Sequence, residues 1–334
     1  MLRRLQFGLV AVCLLALFVA WRPSNHLAHA QELNAPHELL ARGRVFPEIG
    51  GGVSAIKKDS AGHYYILAAP GKSIAIFQAD GKRIGQIPSA NSQGAAIVYA
   101  QDFDLDAAGH ILVADRGANS VKIFAPDGSL ETSFTVALPL SVIALADGTC
   151  AVKSLVSGGV YFRIVNRQGK VVRTFRTPPQ SPVEGPIFGD SASHIYLAFT
   201  DTDEPTVRKY DLYGASEYEF TLPAADFAPP PNRKQWTKIT IERGATPVST
   251  KPAIQAFGTD PESQEVWVGI FDELVHFDKD GNRRAAYRTS TAEGSRIEPS
   301  AILVEHGRIL IADEELGIFE FPLPERMASS DARP

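Results

Sequence analysis

The sequence predicts an all-β protein: a six-bladed β-propeller of four-stranded antiparallel blades, with its ring closed by an N-terminal strand. Three observations carry this. First, residues 102–134 (DFDLDAAGHILVADRGANSVKIFAPDGSLETSF) hold four apolar runs of strand length, Phe103–Leu105, Ile111–Ala114, Val121–Phe124 and Leu130–Phe134. Gly109, Gly117 and Asp127-Gly128 separate them, and Asp-Gly between β-branched or aromatic runs marks a tight hairpin. Second, this order of elements recurs six times, near 53–89, 102–136, 138–178, 186–223, 253–290 and 298–324. The hairpin glycines Gly81, Gly128, Gly169, Gly214 and Gly281 lie 47, 41, 45 and 67 residues apart. A four-stranded unit repeating every 40–50 residues or so reads as a propeller blade, because one meander alone cannot bury both its faces. Third, the sixth copy ends after three strands, while Leu40–Ile49 precedes the first copy as a spare strand. Gly43–Phe46 is therefore expected to form the outer strand of the last blade and so cover exposed sheet edges.

Residues 1–30 stand apart from this repeat. Arg3 and Arg4 precede an apolar core, Leu5–Trp21, and Ala28-His29-Ala30 offers a small-x-small cleavage site. This is the pattern of a signal peptide, so an exported protein, periplasmic or extracellular, is expected. The apolar run is also near the length of a membrane span, which makes an uncleaved membrane anchor the alternative. Cleavage removes Arg3, Arg4 and Arg22 and no acid, leaving 30 basic and 38 acidic residues, a net charge of −8. That balance argues against nucleic acid or an anionic membrane surface as a partner. Cys150 is then the single cysteine, expected as a small buried hydrophobe, with no disulfide inside the monomer. Residues 31–326 read as one domain, expected to be monomeric, with an insertion at 224–252 and a polar tail at 327–334.

Within the second copy, Gly109–Gly128 (GHILVADRGANSVKIFAPDG) resembles the NHL-repeat family of six-bladed propellers. Gly109, Val113–Asp115, Asn119, Ile123–Phe124 and Gly128 carry the resemblance, which is good here, fair in the first and sixth copies and weak in the others. The resemblance implies the fold. Ser120–Val121 stand where the family has a basic residue, so partner recognition by a basic NHL surface is not implied.

In a propeller meander the strands run outward from the axis, so first and third turns share one face, and second turns share the other with the blade-to-blade links. The second face has the longer, more variable connections, where function usually sits. In copies four to six its second turns read Thr200–Glu204, Phe271–Glu273 and Asp313–Glu315. They carry Asp201, Asp203, Glu204, Asp272, Glu273, Asp313, Glu314 and Glu315, and no base. In copies one to three the counterparts are Lys72, Asp115, Arg116 and Lys153. Either these are exposed loops that are simply charged, or they form a site attracting a cation or a cationic segment. The insertion emerges on the same face, with Arg233, Lys234, Lys238, Arg243 and Lys251 beside Trp236, and reads either as a lid over the channel mouth or as a solvated loop. The candidate ligand-binding residues are Asp115, Arg116, Lys153, Asp201, Asp203, Arg233, Trp236, Asp272, Glu273, Asp313 and Glu314.

His63, His110 and His194 recur at one repeat position, but equivalent positions in different blades spread around a ring, too far apart for one metal. Two functions remain. The first is a binding module without a cofactor, for a protein, peptide or small-molecule ligand. The second is a divalent-metal hydrolase, lactonase-like, with calcium held in the channel by Asp102, Asp104, Asp115 and Asp313. The inner strands Val142–Ala144, Ile187–Phe188, Gln255–Phe257 and Ala301–Leu303 are largely apolar, and no Gly-x-Ser-x-Gly motif occurs. Both points favour the binding module.

Overall fold

The computed structural model describes residues 36–89, 94–155, 160–176, 184–190, 193–199, 205–222 and 253–324. The leader, the Asp201–Glu204 acids, the insertion and the tail lie outside the described residues.

Every named element is a β-strand. Two short strands, β1 (His37–Leu40) and β2 (Gly43–Val45), precede blade one, which is β3 (Val53–Lys58), β4 (Tyr64–Ala68), β5 (Ile74–Phe77) and β6 (Arg83–Ile87). Blade two is β7 (Ala100–Leu105), β8 (Ile111–Asp115), β9 (Ser120–Phe124) and β10 (Leu130–Thr135). Blade three is β11 (Pro139–Ala144), β12 (Cys150–Ser154), β13 (Val160–Val165) and β14 (Val171–Arg176). Blade four follows as β15 (Glu184–Gly189), β16 (Ile195–Phe199), β17 (Thr206–Tyr210) and β18 (Ser216–Thr221). Blade five is β19 (Ile254–Thr259), β20 (Val266–Ile270), β21 (Glu273–Phe277) and β22 (Arg283–Ser290). Blade six has β23 (Pro299–Glu305), β24 (Arg308–Asp313) and β25 (Gly317–Pro322).

The N-terminal segment divides between two blades. β2 runs antiparallel to β25, Gly43 opposite Glu320 and Val45 opposite Ile318, and is the outer strand of blade six. β1 lies parallel to β22, with Leu39 opposite Thr289, as a fifth strand on blade five. The sequence reading expected one spare strand; the structure has two, joined at Ala41 and Arg42.

Second strands carry continuous apolar runs because both their faces are covered. All five residues of β8, β12, β16 and β20 are buried. The outer strand β10 instead alternates between half-buried and exposed, as a strand with one solvated face does. The core is accordingly six separate layers, one per blade interface. Leu112 and Ala114 pack toward blade three, with Cys150 and Val152. Ile111 and Val113 pack toward blade one, with Tyr65 and Leu67. Each layer is a face-to-face sheet packing. The inner strands β3, β7, β11, β15, β19 and β23 each touch the next, and β23 returns to β3. The ring is closed.

Candidate binding face at the blade links

Asp115 ends β8, fully buried, where the second turn meets the link arriving from blade one. Its carboxylate accepts the backbone N–H groups of Val98 and Tyr99, both at 3.0 Å, and of Ala118 at 3.2 Å. Lys122, one strand over, donates its ammonium to Asp115 at 2.6 Å and also to the Ala96 carbonyl. Burial pushes the Asp115 carboxyl up, but Lys122 and the backbone donors outweigh it and hold it below the ordinary carboxylate value.

Two glycines complete the clamp. The Ala100 N–H donates to the Gly71 carbonyl at 2.7 Å, and the Gly117 N–H donates to the Tyr99 carbonyl at 3.2 Å. A methyl group on Gly71 would stand 2.8 Å from the Ala100 oxygen, and one on Gly117 would stand 2.7 Å from Val98 Cγ1. The link is thus gripped by its backbone while its side chains point away: Val98 is 52% and Tyr99 45% exposed. In the neighbouring sector Asn119 Oδ1 accepts the Leu138 N–H at 2.9 Å, and the Leu155 N–H donates to the Leu138 carbonyl at 2.9 Å. Leu155 is 55% exposed. Lys72, next to Gly71 in the second turn of blade one, is exposed, and half-buried Arg116 donates to Gln101 at 3.3 Å.

Asp313 repeats the clamp in blade six, accepting the Glu298, Glu315 and Leu316 N–H groups at 2.7, 2.8 and 3.0 Å. Ser154 holds the same position in blade three and donates to the Ala137 carbonyl. These residues overturn part of the sequence expectation. Asp115, Lys153, Glu273 and Asp313 were expected among exposed loop charges, yet all four are buried. For Asp115 and Asp313 the physical reason is their place at strand ends, where a carboxylate closes a turn onto a link. Glu273 faces Arg288 at 3.5 Å, and burial pushes its carboxyl up. Arg116, Asp272 and Glu314 stay on the link face, Asp272 half-buried and Glu314 exposed. Asp201, Asp203, Arg233 and Trp236 lie outside the described residues. Sequence reasoning missed Val98, Tyr99 and Leu155, whose only signal is an apolar residue placed in a link or turn.

The channel candidates separate as well. Asp102 and Asp104 extend from β7 to the inner strand of blade three, accepting the Val142 and Ala144 N–H groups at 3.2 and 2.9 Å. Lys57 pairs with Asp104 at 3.0 Å. Burial pushes the Asp102 carboxyl up to about 7, against the pull of Lys57. Asp115 and Asp313 are engaged in their own link clamps, so the four expected calcium ligands do not act as one set. Among the described residues no three His, Cys, Asp or Glu side chains form a metal-holding group. The recurring histidines close first turns: His63, His110 and His194 pair with Asp59, Asp106 and Asp190 at 3.0, 2.9 and 2.8 Å.

This geometry defines a six-bladed β-propeller with a built link face. Solved structures share the fold. The Cps50 (Swd1) β-propeller domain of Myceliophteria thermophila is 9% identical with a TM-score of 0.56, over 85% of this chain and 99% of that one. A streptogramin B lyase is 15% identical with a TM-score of 0.54, over 82% and 94%. A catalytically inactive virginiamycin B lyase from Staphylococcus aureus, solved with quinupristin, is 12% identical with a TM-score of 0.52, over 83% and 86%. No family model and no curated protein matches the chain.

Proposed function

We propose that this chain is an exported propeller of NHL type that works as a binding module, taking a protein or peptide on the link face of blades one to three. The observation that carries the reading is the clamped link, which presents Val98 and Tyr99 to solvent on an immobilised backbone. A side chain displayed this way loses little freedom on binding, and aromatic anchors held rigidly are the residues that dominate interface energies. Of these fold neighbours, one is a β-propeller domain and two are lyases; at these identities they support the scaffold and not a reaction.

The test is a pair of chains, the natural one and one carrying Val98→Ser with Tyr99→Ala, each displayed in the exported compartment with a photo-crosslinker at Lys72. The natural chain is expected to trap a discrete partner and the double variant to lose it, with the melting midpoint unchanged. Equal trapping by both chains overturns the reading.

A further inference from the structure

The blades differ in what their outer edges leave open. β22 and β25 are covered by β1 and β2, whereas β6, β10, β14 and β18 stand last in their sheets. β10 exposes Glu131, Ser133 and Thr135, and Glu131 meets His110 at 3.4 Å and Arg167 at 3.6 Å. On β18, Glu217 meets Lys209 at 3.0 Å and Glu219 meets Arg208. β6 is weakened by Gly85 within it, and Asp80 stands in its hairpin.

β14 is different. It exposes Val171, Val172, Thr174 and Arg176, with the two valines 48% and 57% accessible. Lys170, just before it, is exposed too. Neither Lys170 nor Arg176 has a carboxylate partner among the described residues. Phe175 turns toward blade four, its ring 4.4 Å from Phe162 in the layer that includes Tyr210. Arg173, two residues earlier, shares that side. It donates to the Leu212 carbonyl, and its guanidinium lies 5.1 Å from the centre of the Tyr213 ring, which is 78% exposed. Thr174 and Arg176 take the opposite side. The edge therefore has a base on each flank and apolar surface beside them.

This strand lies in a stretch of one charge sign. Residues 148–183 contain Lys153, Arg163, Arg167, Lys170, Arg173 and Arg176 and no Asp or Glu, in a chain of net charge −5. Arg167 is engaged by Asp106 at 2.5 Å, and Lys153 is buried. Lys170, Arg173 and Arg176 leave their positive charge along β14.

We propose that the outer edge of β14 binds an extended acidic segment of a partner protein by strand addition. Backbone groups along an open edge supply the affinity in this mode of recognition, and side chains supply the choice of partner. The chain already accepts one added strand, β1 on β22. Arg173 and Arg176 are three residues apart and on opposite sides, so the matching segment carries acids at the same spacing and an apolar residue opposite Val171. The same bases repel β14 of a second copy, because like charges would face each other across the paired edges. This rim site is separate from the link face and does not rest on it.

The probe is acetyl-Thr-Glu-Thr-Thr-Glu-Thr-Val-Thr-amide, titrated into the full chain by ligand-observed NMR at low salt. One counterpart has glutamine for both glutamates, and another has proline for the two central threonines, which removes donors needed along an edge. The acidic peptide is expected to bind with a Kd of about 1 mM or tighter and to slow hydrogen exchange at residues 171–176. The glutamine peptide is expected to bind at least about fivefold more weakly, and the proline peptide not at all. Arg176→Glu is expected to weaken the acidic peptide at least about fivefold with the melting midpoint unchanged; Lys170→Glu, also exposed, carries the test should Arg176→Glu fail to fold. Absence of binding at about 5 mM peptide, unchanged exchange along β14, or equal binding of the proline peptide overturns strand addition. Equal binding of the glutamine peptide overturns the acidic assignment, and binding indifferent to both substitutions overturns the site.

Discussion

Asp115 and Asp102 occupy adjacent strands of blade two, and their carboxyls are displaced in opposite directions. Asp115 is lowered from 3.8, so its stabilisation is full above that value and fades as pH falls through the lowered one. Asp115→Asn would leave Lys122 buried without its anion. A loss of about 3 kcal/mol at pH 7 is expected in denaturant melts, shrinking on acidification. Asp102 is raised from 3.8 to about 7, so its contribution is greatest below 3.8 and is lost as pH rises through about 7. Asp102→Asn keeps the shape without the charge. It should gain stability relative to the natural chain progressively from about pH 4 to 7, on the order of 4 kcal/mol at the plateau. A flat difference across that range would show that Asp102 is not displaced. Neither outcome was legible in the sequence: both residues were visible as acids in the repeat, but which acid closes a turn against a buried lysine and which reaches across to the next blade depends on neighbours a strand or a blade away.

Among the elements, the strands of blade two were legible almost residue by residue, because apolar alternation and Asp-Gly turns are local signals. Less legible were the contacts between blades. The hairpin glycines marked the repeat, yet nothing in their spacing tells that four of them rest on the preceding blade and the fifth does not. Comparing substitutions isolates that contact. Gly81 and Gly169 have matching turn conformations, φ 85° and 76°, so alanine costs both the same left-handed penalty, about 1–2 kcal/mol. Gly81 has nothing within 4 Å of an added methyl group, whereas on Gly169 it would stand 2.5 Å from Phe134 of the preceding blade, so Gly169→Ala adds that collision, a further 1–3 kcal/mol or so. The expected order in chemical melts is a small loss for Gly81→Ala and about twice that for Gly169→Ala. Equal losses would mean the blades yield freely at that contact. β1 was equally illegible, since a four-residue parallel strand on a sheet edge has no local signature.

For the whole molecule, stability depends on how the last blade meets the first, and that interface joins segments far apart in the chain. Glu305 is its centre. It accepts the Tyr64 hydroxyl at 2.8 Å, Lys58 at 2.5 Å and Arg308 at 2.6 Å, while Arg308 also reaches Glu320 on β25. Burial pushes the Glu305 carboxyl up, but these donors outweigh it and hold it below its ordinary value of 4.5. Its stabilisation is therefore full above 4.5 and is lost as pH falls through the lowered value. Glu305→Gln is expected to cost about 2 kcal/mol at pH 7, a drop of roughly 4–8 °C in a domain this large, and the difference should narrow on acidification. Loss of β2 acts differently, because it uncovers β25 along its hydrogen-bonding edge and leaves blade six with three strands. A chain beginning at Gly50 should melt at a lower temperature than Glu305→Gln and should associate as it does so, since an uncovered edge strand pairs with other chains. Light scattering during the melt separates the two cases. Scattering from the truncated chain, absent both from Glu305→Gln and from a chain beginning at Ala41 that lacks only β1, assigns β2 the role of edge cover, whereas equal scattering from the truncated chain and Glu305→Gln would show that closure rests on the Glu305 network instead.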